Sequence, residues 1–321
     1  YDMNTKTITQ PEVSLKDVSI SRIKPLNAKE LLIATDGGGI YKMNVDTYQT
    51  VPFIVADYNS YNGMNGNSIN DIYIDDEERI WMANHPIGIT IQNNRYPSYK
   101  WIKHSVGNKQ SLINDQVNSI IEDSEGDLWY GTNNGISLQD SKTGKWRSFL
   151  STFENVQNSK NHIFTTLCEV SPGIIWAGGY FSGLYQIDKR TSKTTYFTPA
   201  SYAHESIRPD KYIRDIRKDS RGYVWSGGYY NLKRINVQTK DIRLYHGLHS
   251  VTAIIEKDDK SMWIGTATGL FLLDIESGKY ERIQLPVEST YVYSLYQTKQ
   301  GSLYIGTSGS GVLIYDPQTK L

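Results

Sequence analysis

Few residues of the chain combine the type and spacing that catalysis or metal binding requires. Of the six histidines, only His246 and His249 lie close together, and no carboxylate cluster accompanies them. A zinc site needs three or four such ligands. The single cysteine, Cys168, excludes an internal disulfide, and its strand-like context favours a structural thiol over a reactive one. The sequence therefore predicts no metal site and no cofactor.

Paired carboxylates or a phosphate-binding loop are equally hard to find. Glycoside hydrolysis needs two carboxylates flanking one bond. The acidic residues fall mainly in turns that recur along the chain, which favours a structural role: Glu122, Asp123, Asp219, Asp258 and Asp274. The glycine-rich run from Gly306 to Gly311 is not followed by a helix, as a phosphate cradle would be. We expect no catalytic residue and no enzymatic activity in this segment.

Composition narrows the function classes further. The 321 residues carry 34 Lys+Arg against 34 Asp+Glu, and this balance argues against nucleic-acid binding, which usually involves a basic excess. No apolar run approaches the roughly 18 residues that a membrane-spanning helix needs. The chain starts at Tyr1 without an initiator methionine or secretory signal. We interpret it as a piece of a longer protein, attached to a membrane only through that parent.

A repeat organises the whole chain. Residues 126–136 and 260–270 share the pattern apolar-Trp-x-Gly-Thr-x-x-Gly-apolar. Weaker copies bring the number of units to seven, with a large apolar or aromatic anchor in each: Leu32, Trp81, Trp129, Trp176, Trp225, Trp263 and Tyr304. The gaps of 49, 48, 47, 49, 38 and 41 residues between these anchors match the roughly 40–50 residues of a four-stranded propeller blade.

Each unit is expected to contain four short strands separated by turns. An apolar strand comes first, a turn such as that at residues 123–126 follows, and the anchor lies in the second strand. Blades stack face to face, so the anchors are interpreted as core residues that fill the space between blades rather than as ligand contacts. The sequence predicts an all-β fold, a single seven-bladed β-propeller spanning residues 1–321.

The two ends of the chain are expected to meet in one blade. Residues 1–9 resemble the end of a unit, such as residues 41–47, whereas the C-terminus stops before its outer strand. The N-terminal segment is therefore predicted to supply the last strand of the seventh blade, which would leave no open sheet edge there.

Residues 117–136 resemble the two-component regulator propeller repeat almost position by position. The resemblance extends over all seven units, although the first, second and fifth are degenerate. Asn84-His85-Pro86 replaces Gly-Thr in the second unit, and Gly227-Gly228-Tyr229-Tyr230 replaces it in the fifth. Asp-Ser-x-Gly-x-x-Trp is also similar to the Asp box of sialidase propellers, which is itself a structural turn.

The resemblance implies a place in a larger sensor. Owners of this repeat include hybrid two-component sensors of bacteria that degrade complex glycans. These have paired propellers and an immunoglobulin-like domain outside the inner membrane, then a transmembrane helix, a histidine kinase, a receiver and often a DNA-binding domain. The chain is accordingly expected to be a periplasmic sensor propeller. An oligosaccharide or the second propeller of the parent is the expected partner, and the parent could form a homodimer.

Binding is expected on the face that carries the loops after strands two and four, because these vary between units while the opposite turns repeat. This face includes the long loops 58–68, 104–116, 152–162 and 199–211. Its candidate ligand-binding residues are Asp36, His85, Asn133, Asn134, Tyr180, Phe181, Tyr229 and Tyr230. The aromatic residues either pack against the neighbouring long loops or form a stacking platform for sugar rings beside His85 and Asn133.

Three functions stay open at this point. The first is a ligand-sensing or signal-relay propeller without catalysis. The second is a propeller lyase or glycoside hydrolase that uses acids or histidines at the variable face. The third is a scaffold that pairs with another propeller and binds no small molecule.

Overall fold

A computed structural model describes residues 15, 18–56, 64, 66–93, 99–151, 162–197, 211–287 and 290–315, with only the backbone at 99–101. This part of the chain consists of strands and turns. No helix that could cross a membrane occurs within it. The strands form seven successive antiparallel sheets, six with four strands and the last with three in the described residues. The predicted seven-bladed β-propeller fold is confirmed.

Contacts divide the chain into two compact units. The first, Tyr1–Asn84, Thr90–Lys100 and Thr252–Leu321, contains blades 1 and 7 and most of blades 2 and 6. Its strands are β1 (Ser19–Pro25), β2 (Glu30–Asp36), β3 (Ile40–Asn44) and β4 (Thr50–Ile54) in blade 1, and β5 (Ile69–Ile74), β6 (Ile80–Asn84), β7 (Gly88–Gln92) and β8 (Tyr99–Ile102) in blade 2.

The second unit, His85–Ile89 and Trp101–Val251, contains blades 3, 4 and 5. Its strands are β9 (Val117–Glu122), β10 (Leu128–Thr132), β11 (Gly135–Gln139) and β12 (Trp146–Phe149) in blade 3, β13 (Ile163–Ser171), β14 (Ile174–Tyr180), β15 (Gly183–Asp188) and β16 (Lys193–Tyr196) in blade 4, and β17 (Ile213–Lys218), β18 (Val224–Gly228), β19 (Leu232–Ile235) and β20 (Ile242–Tyr245) in blade 5.

Blades 6 and 7 follow in chain order. Blade 6 has β21 (Val251–Asp258), β22 (Ser261–Thr266), β23 (Gly269–Asp274) and β24 (Tyr280–Ile283), and blade 7 has β25 (Val292–Gln297), β26 (Leu303–Thr307) and β27 (Val312–Tyr315). The expected fourth strand of blade 7, residues 1–9, lies outside the described residues, so closure by the N-terminus stays a prediction. The assignment of residues 1–321 to a single domain likewise stays a prediction.

The repeat anchors are core residues, as expected. Each lies in the second strand of its blade, and Trp129, Trp176, Trp225 and Trp263 are at most 1% exposed. Trp129 packs with Phe164 of the following blade in one apolar cluster. The indole therefore fills the space between two sheets, where a large apolar side chain stabilises both.

The turn between the first two strands is built around an aspartate. Oδ1 of Asp123 accepts the backbone N–H groups of Glu125 and Asp127, both at 3.0 Å, and its Oδ2 accepts the indole N–H of Trp129 at 2.8 Å. Asp75 and Trp81 repeat this indole contact at 2.8 Å, and Asp219 and Trp225 at 2.9 Å. The structural interpretation of these turn carboxylates is thus confirmed.

A one-residue bulge interrupts the first strand in six of the blades, in each case at the residue that the pairing register omits: Ser21, Asn70, Asn118, Thr165, Arg214 and Tyr293. A bulged residue leaves the hydrogen-bond ladder and re-aims its side chain. The Thr165 hydroxyl uses this freedom to donate to the carbonyl of Ile213 in blade 5, at 2.7 Å.

Candidate ligand-binding site

Five aromatic side chains meet at one end of blades 4 and 5. Tyr180 ends β14, Phe181 lies in the turn after it, Tyr212 precedes β17, and Tyr229 and Tyr230 follow β18. We call these five residues the aromatic cluster. Their ring centroids lie 4.8 Å apart for Tyr180 and Tyr212, 4.3 Å for Phe181 and Tyr212, and 6.0 Å for Tyr212 and Tyr229. The cluster is therefore continuous across the two blades, with Tyr212 at its centre.

Backbone hydrogen bonds hold the cluster in place. Tyr180 and Tyr212 form an isolated antiparallel bridge between the blades. The N–H of Tyr229 donates to the carbonyl of Tyr212 at 3.2 Å, and the hydroxyl of Ser182 donates to the carbonyl of Ile163 at 2.8 Å. The aromatic side chains thus project from strand ends and short turns rather than from a free loop.

The cluster is unusually open for aromatic residues. Tyr180, Phe181, Tyr229 and Tyr230 are 48%, 43%, 59% and 44% exposed. Their contacts are mainly edge-to-face, as between Tyr229 and Tyr230 at 5.1 Å, a favourable arrangement for aromatic pairs. Desolvation and the nearby Tyr180 raise the pKa of Tyr212, so its hydroxyl is neutral at physiological pH.

Tyr212 was not among the residues selected from the sequence. It occupies the position just before the first strand of its blade, where Gln116 lies in blade 3 and Tyr291 in blade 7. Gln116 and Tyr291 also accept an N–H of the turn after the second strand, as Tyr212 does. Alignment of the seven units at this position would have placed Tyr212 beside Tyr229.

The two asparagines of blade 3 are engaged within their own blade. The side-chain amide of Asn133 donates to Gln116, and its carbonyl oxygen accepts from Asn118 at 2.8 Å. The backbone N–H of Asn134 donates to the hydroxyl of Thr132 at 3.1 Å. These bonds shape the turn after β10, so Asn133 would have to exchange a partner in order to bind a sugar hydroxyl.

His85 is an exposed residue of the turn after β6, and Asp36 is the exposed last residue of β2. Asp36 accepts a hydrogen bond from the hydroxyl of Ser68 at 2.5 Å. The hydrogen bonds and ring contacts described for these two residues do not link them to the aromatic cluster. The four aromatic candidates are thus the members of the predicted set that the structure brings together. The long loops 152–161 and 199–210, against which they could pack, lie outside the described residues.

Three carboxylates on the opposite turns have the spacing of a cation site. Oxygen atoms of Asp123, Glu125 and Asp127 lie within 4.8 Å of one another. The ammonium of Lys189, from blade 4, lies 2.6 Å, 2.6 Å and 2.8 Å from them. A side chain of the protein therefore already supplies the positive charge, and the cluster joins blade 3 to blade 4.

The pKa shifts in this ion cluster follow from its contacts. Burial alone would raise the pKa of Asp123, but hydrogen bonds from Lys189 and Trp129 outweigh it, so the pKa lies below its usual value. Burial alone would lower the pKa of Lys189, whereas the carboxylates hold it well above its usual value. Asp123 and Lys189 are thus both charged at neutral pH.

Cys168 and three of the histidines have structural surroundings. Burial raises the pKa of the Cys168 thiol, which disfavours the reactive thiolate. His104 and His162 each direct Nδ1 at a backbone carbonyl, of Leu112 and of Leu150, both at 2.7 Å. His249 directs Nδ1 at the carbonyl of Tyr230, which ties the aromatic cluster to the loop after β20.

Two segments, residues 111–134 and 286–309, match the model of the two-component regulator propeller family. The first overlaps the repeat in residues 117–136, so the resemblance expected from the sequence is confirmed. No curated protein matches the chain.

Solved structures share the fold at low sequence identity. The extracellular domain of a hybrid two-component system from B. thetaiotaomicron is 22% identical with a TM-score of 0.78, over 94% of this chain and 40% of that one. A catalytically inactive virginiamycin B lyase from Staphylococcus aureus with quinupristin is 14% identical with a TM-score of 0.73, over 96% and 98% of the two chains. The WD40 β-propeller domain of Doa1 is 14% identical with a TM-score of 0.68, over 94% of each chain. The chain is thus a seven-bladed β-propeller, two segments of which match the two-component regulator propeller family.

Proposed function

We propose that the chain is an extracytoplasmic ligand-sensing or signal-relay propeller of a hybrid two-component sensor and that it responds to oligosaccharides. The observation that carries the binding proposal is the aromatic cluster, with four rings between 43% and 59% exposed on neighbouring blades. Folding normally buries such rings. Exposed aromatic side chains at strand ends and in short turns therefore favour a ligand-binding surface.

The chemistry of the cluster suits a sugar ring. The apolar C–H face of a pyranose packs on an aromatic face, and the tyrosine hydroxyls offer hydrogen bonds at the rim. The cluster spans two blades, with centroid steps of 4.3–6.0 Å between neighbouring rings, so more than one sugar unit could be in contact at once. This extent favours an oligosaccharide over a monosaccharide.

The sensor assignment rests on the repeat. Both matched segments belong to the two-component regulator propeller family, and the extracellular domain from B. thetaiotaomicron has the same fold. Because the chain spans 40% of that domain, the parent of this chain is proposed to contain further extracytoplasmic domains, an inner-membrane anchor and a histidine kinase. A periplasmic location follows from that proposal.

The fold similarity to virginiamycin B lyase is the observation that supports the enzymatic alternative. Its support is limited in the described residues, since the turn carboxylates Asp75, Asp123 and Asp219 are bonded to tryptophan indoles. The third alternative, a partner propeller on the aromatic cluster, uses the same side chains because aromatic residues are common anchors of protein interfaces.

Calorimetry tests the proposal. Wild-type protein and the double variant Tyr180→Ala/Tyr229→Ala are titrated with xylan, arabinan, pectin and glycosaminoglycan oligosaccharides. We expect the wild type to bind one class and the double variant to lose about tenfold or more in affinity with an unchanged melting curve. Tyr280→Ala is the matched control, because Tyr280 is 41% exposed and lies in blade 6.

Each alternative predicts a different result. Turnover of a glycan by the wild type would favour the enzyme. No binding to any of the four glycan classes would overturn the oligosaccharide proposal, and association of the wild type with the neighbouring propeller of its parent, lost in the double variant, would favour the scaffold.

A further inference from the structure

Phe181 has a backbone conformation that its side chain disfavours. Its φ is 59°, in the left-handed region, which is uncommon for bulky residues. Phe181 is the middle residue of a three-residue turn between the paired Gly179 and Gly183. Left-handed backbone at such a position costs free energy unless a glycine occupies it.

Two other blades have glycine in the middle of the corresponding turn. Gly37 of blade 1 has φ 96° and Gly309 of blade 7 has φ 81°. A Cβ atom added to either glycine would meet nothing within 4 Å. Conformation rather than lack of space for a Cβ atom therefore explains glycine at these positions.

Among the described residues, the Phe181 ring has little core packing to offset the strain. It is 43% exposed, and its ring contacts are with Tyr180 and Tyr212 at the surface. Tyr48 provides the contrast, with the same φ of 59°, because its ring packs against the core cluster of its unit. Packing against the core therefore accounts for an aromatic residue in left-handed backbone at position 48. The exposed ring of Phe181 is not accounted for in this way.

We infer that Phe181 is a ligand-contact residue, held in left-handed backbone so that its ring completes the aromatic cluster. Strained backbone conformations cluster at active sites and ligand-binding positions. The inference rests on the proposed function and deepens it. The ligand of this residue is a molecule with a flat apolar face, such as the pyranose ring of an oligosaccharide.

Two substitutions separate backbone from side chain. Phe181→Ala removes the ring and keeps the Cβ atom in left-handed backbone, whereas Phe181→Gly removes the ring and the strain together. We expect the glycine variant to melt about 1–3 °C above the alanine variant, and the alanine variant to melt close to the wild type. Both variants should lose about tenfold or more in affinity for the oligosaccharide class that the wild type binds by calorimetry.

The outcomes distinguish this inference from the proposed function. Full affinity in both variants, with a binding wild type, would overturn the role of Phe181 and leave the sensor proposal intact. A large fall in the melting temperature of both variants would show that the ring stabilises the fold. That result would also overturn the ligand-contact role of Phe181. A wild type that binds none of the oligosaccharides would overturn the proposed function and, with it, the ligand contact.

Discussion

The side-chain amide of Asn118 donates a hydrogen bond to the backbone carbonyl of Phe164 in the next blade, at 3.2 Å. Asn118 is the bulged residue of its strand, and Phe164 immediately precedes the bulge of the following blade. The same contact joins Thr165 to Ile213 at 2.7 Å. Between blades 1 and 2, the hydroxyl of Ser21 donates to the backbone carbonyl of Ile69 in the same way. Polar side chains at the bulge therefore form hydrogen bonds that join one blade to the next.

Removing one of these contacts is expected to destabilise the protein. Thr165→Val keeps the shape of the side chain and deletes the hydroxyl, so the carbonyl of Ile213 loses its donor. An unsatisfied polar group of this kind costs about 1–3 kcal/mol of unfolding free energy. Urea denaturation measures the loss, and Thr165→Ser, which keeps the hydroxyl, is the control. Equal stability of the valine and serine variants would show that the contact contributes nothing.

Trp129 is predicted to act through the core alone. The side chain is fully buried and stacks on Phe149 at 5.3 Å. Trp129→Ala should reduce the unfolding free energy by about 3–5 kcal/mol, as for other large aromatic residues in cores. Trp129→Phe keeps an aromatic ring but loses part of the buried volume and the indole N–H that Asp123 accepts, so it should cost less than the alanine substitution. A Trp129→Ala protein with wild-type stability in denaturation would contradict the core assignment.

Lys189 is predicted to be necessary for the ion cluster. Lys189→Met leaves Asp123 and Asp127, 4% and 7% exposed, without the ammonium between them. Breaking a buried pair from one side costs about 3–5 kcal/mol. Chemical denaturation at pH 7 should show this loss, whereas the exposed Lys142, substituted by Met, should change little. Wild-type stability of the Lys189 variant would contradict the prediction.

The same cluster predicts a pH dependence with a defined sign. The folded pKa of Asp123 is lowered, so its contribution is fully present above its unfolded pKa of about 3.9 and is lost as the pH falls through the folded value. The folded pKa of Lys189 is raised, so its contribution is fully present below about 10.4 and is lost as the pH rises through the folded value. The stability difference between wild type and Lys189→Met should therefore narrow in strongly acidic solution, which denaturation below pH 4 would test.

Local patterns in the sequence were enough to predict the blades but not their connections. Trp129 and Gly131 recur with one spacing, so the second strands and the turns around them could be located residue by residue. The contact of Lys189 with Asp123 joins residues 66 positions apart and leaves no periodic signal. Tyr212 likewise joins the aromatic cluster through a bridge between two blades, which the pattern within a single unit does not indicate.

Closure of blade 7 is the last prediction, and one described residue bears on it. Leu15 is 2% exposed and belongs to the same core cluster as Val312 and Tyr315 of β27. Leu15 therefore lies in the same apolar cluster as the outer described strand of blade 7, beside which a fourth strand would pair.

Removing residues 1–9 should expose the edge of β27. A strand of this length contributes about four ladder hydrogen bonds at about 1 kcal/mol each, so we expect the melting temperature to fall by about 5–10 °C. Differential scanning calorimetry measures the shift, and removal of residues 319–321 at the other terminus serves as the control. If the two shortened proteins melt alike, at the temperature of the intact chain, the N-terminal segment does not complete the blade.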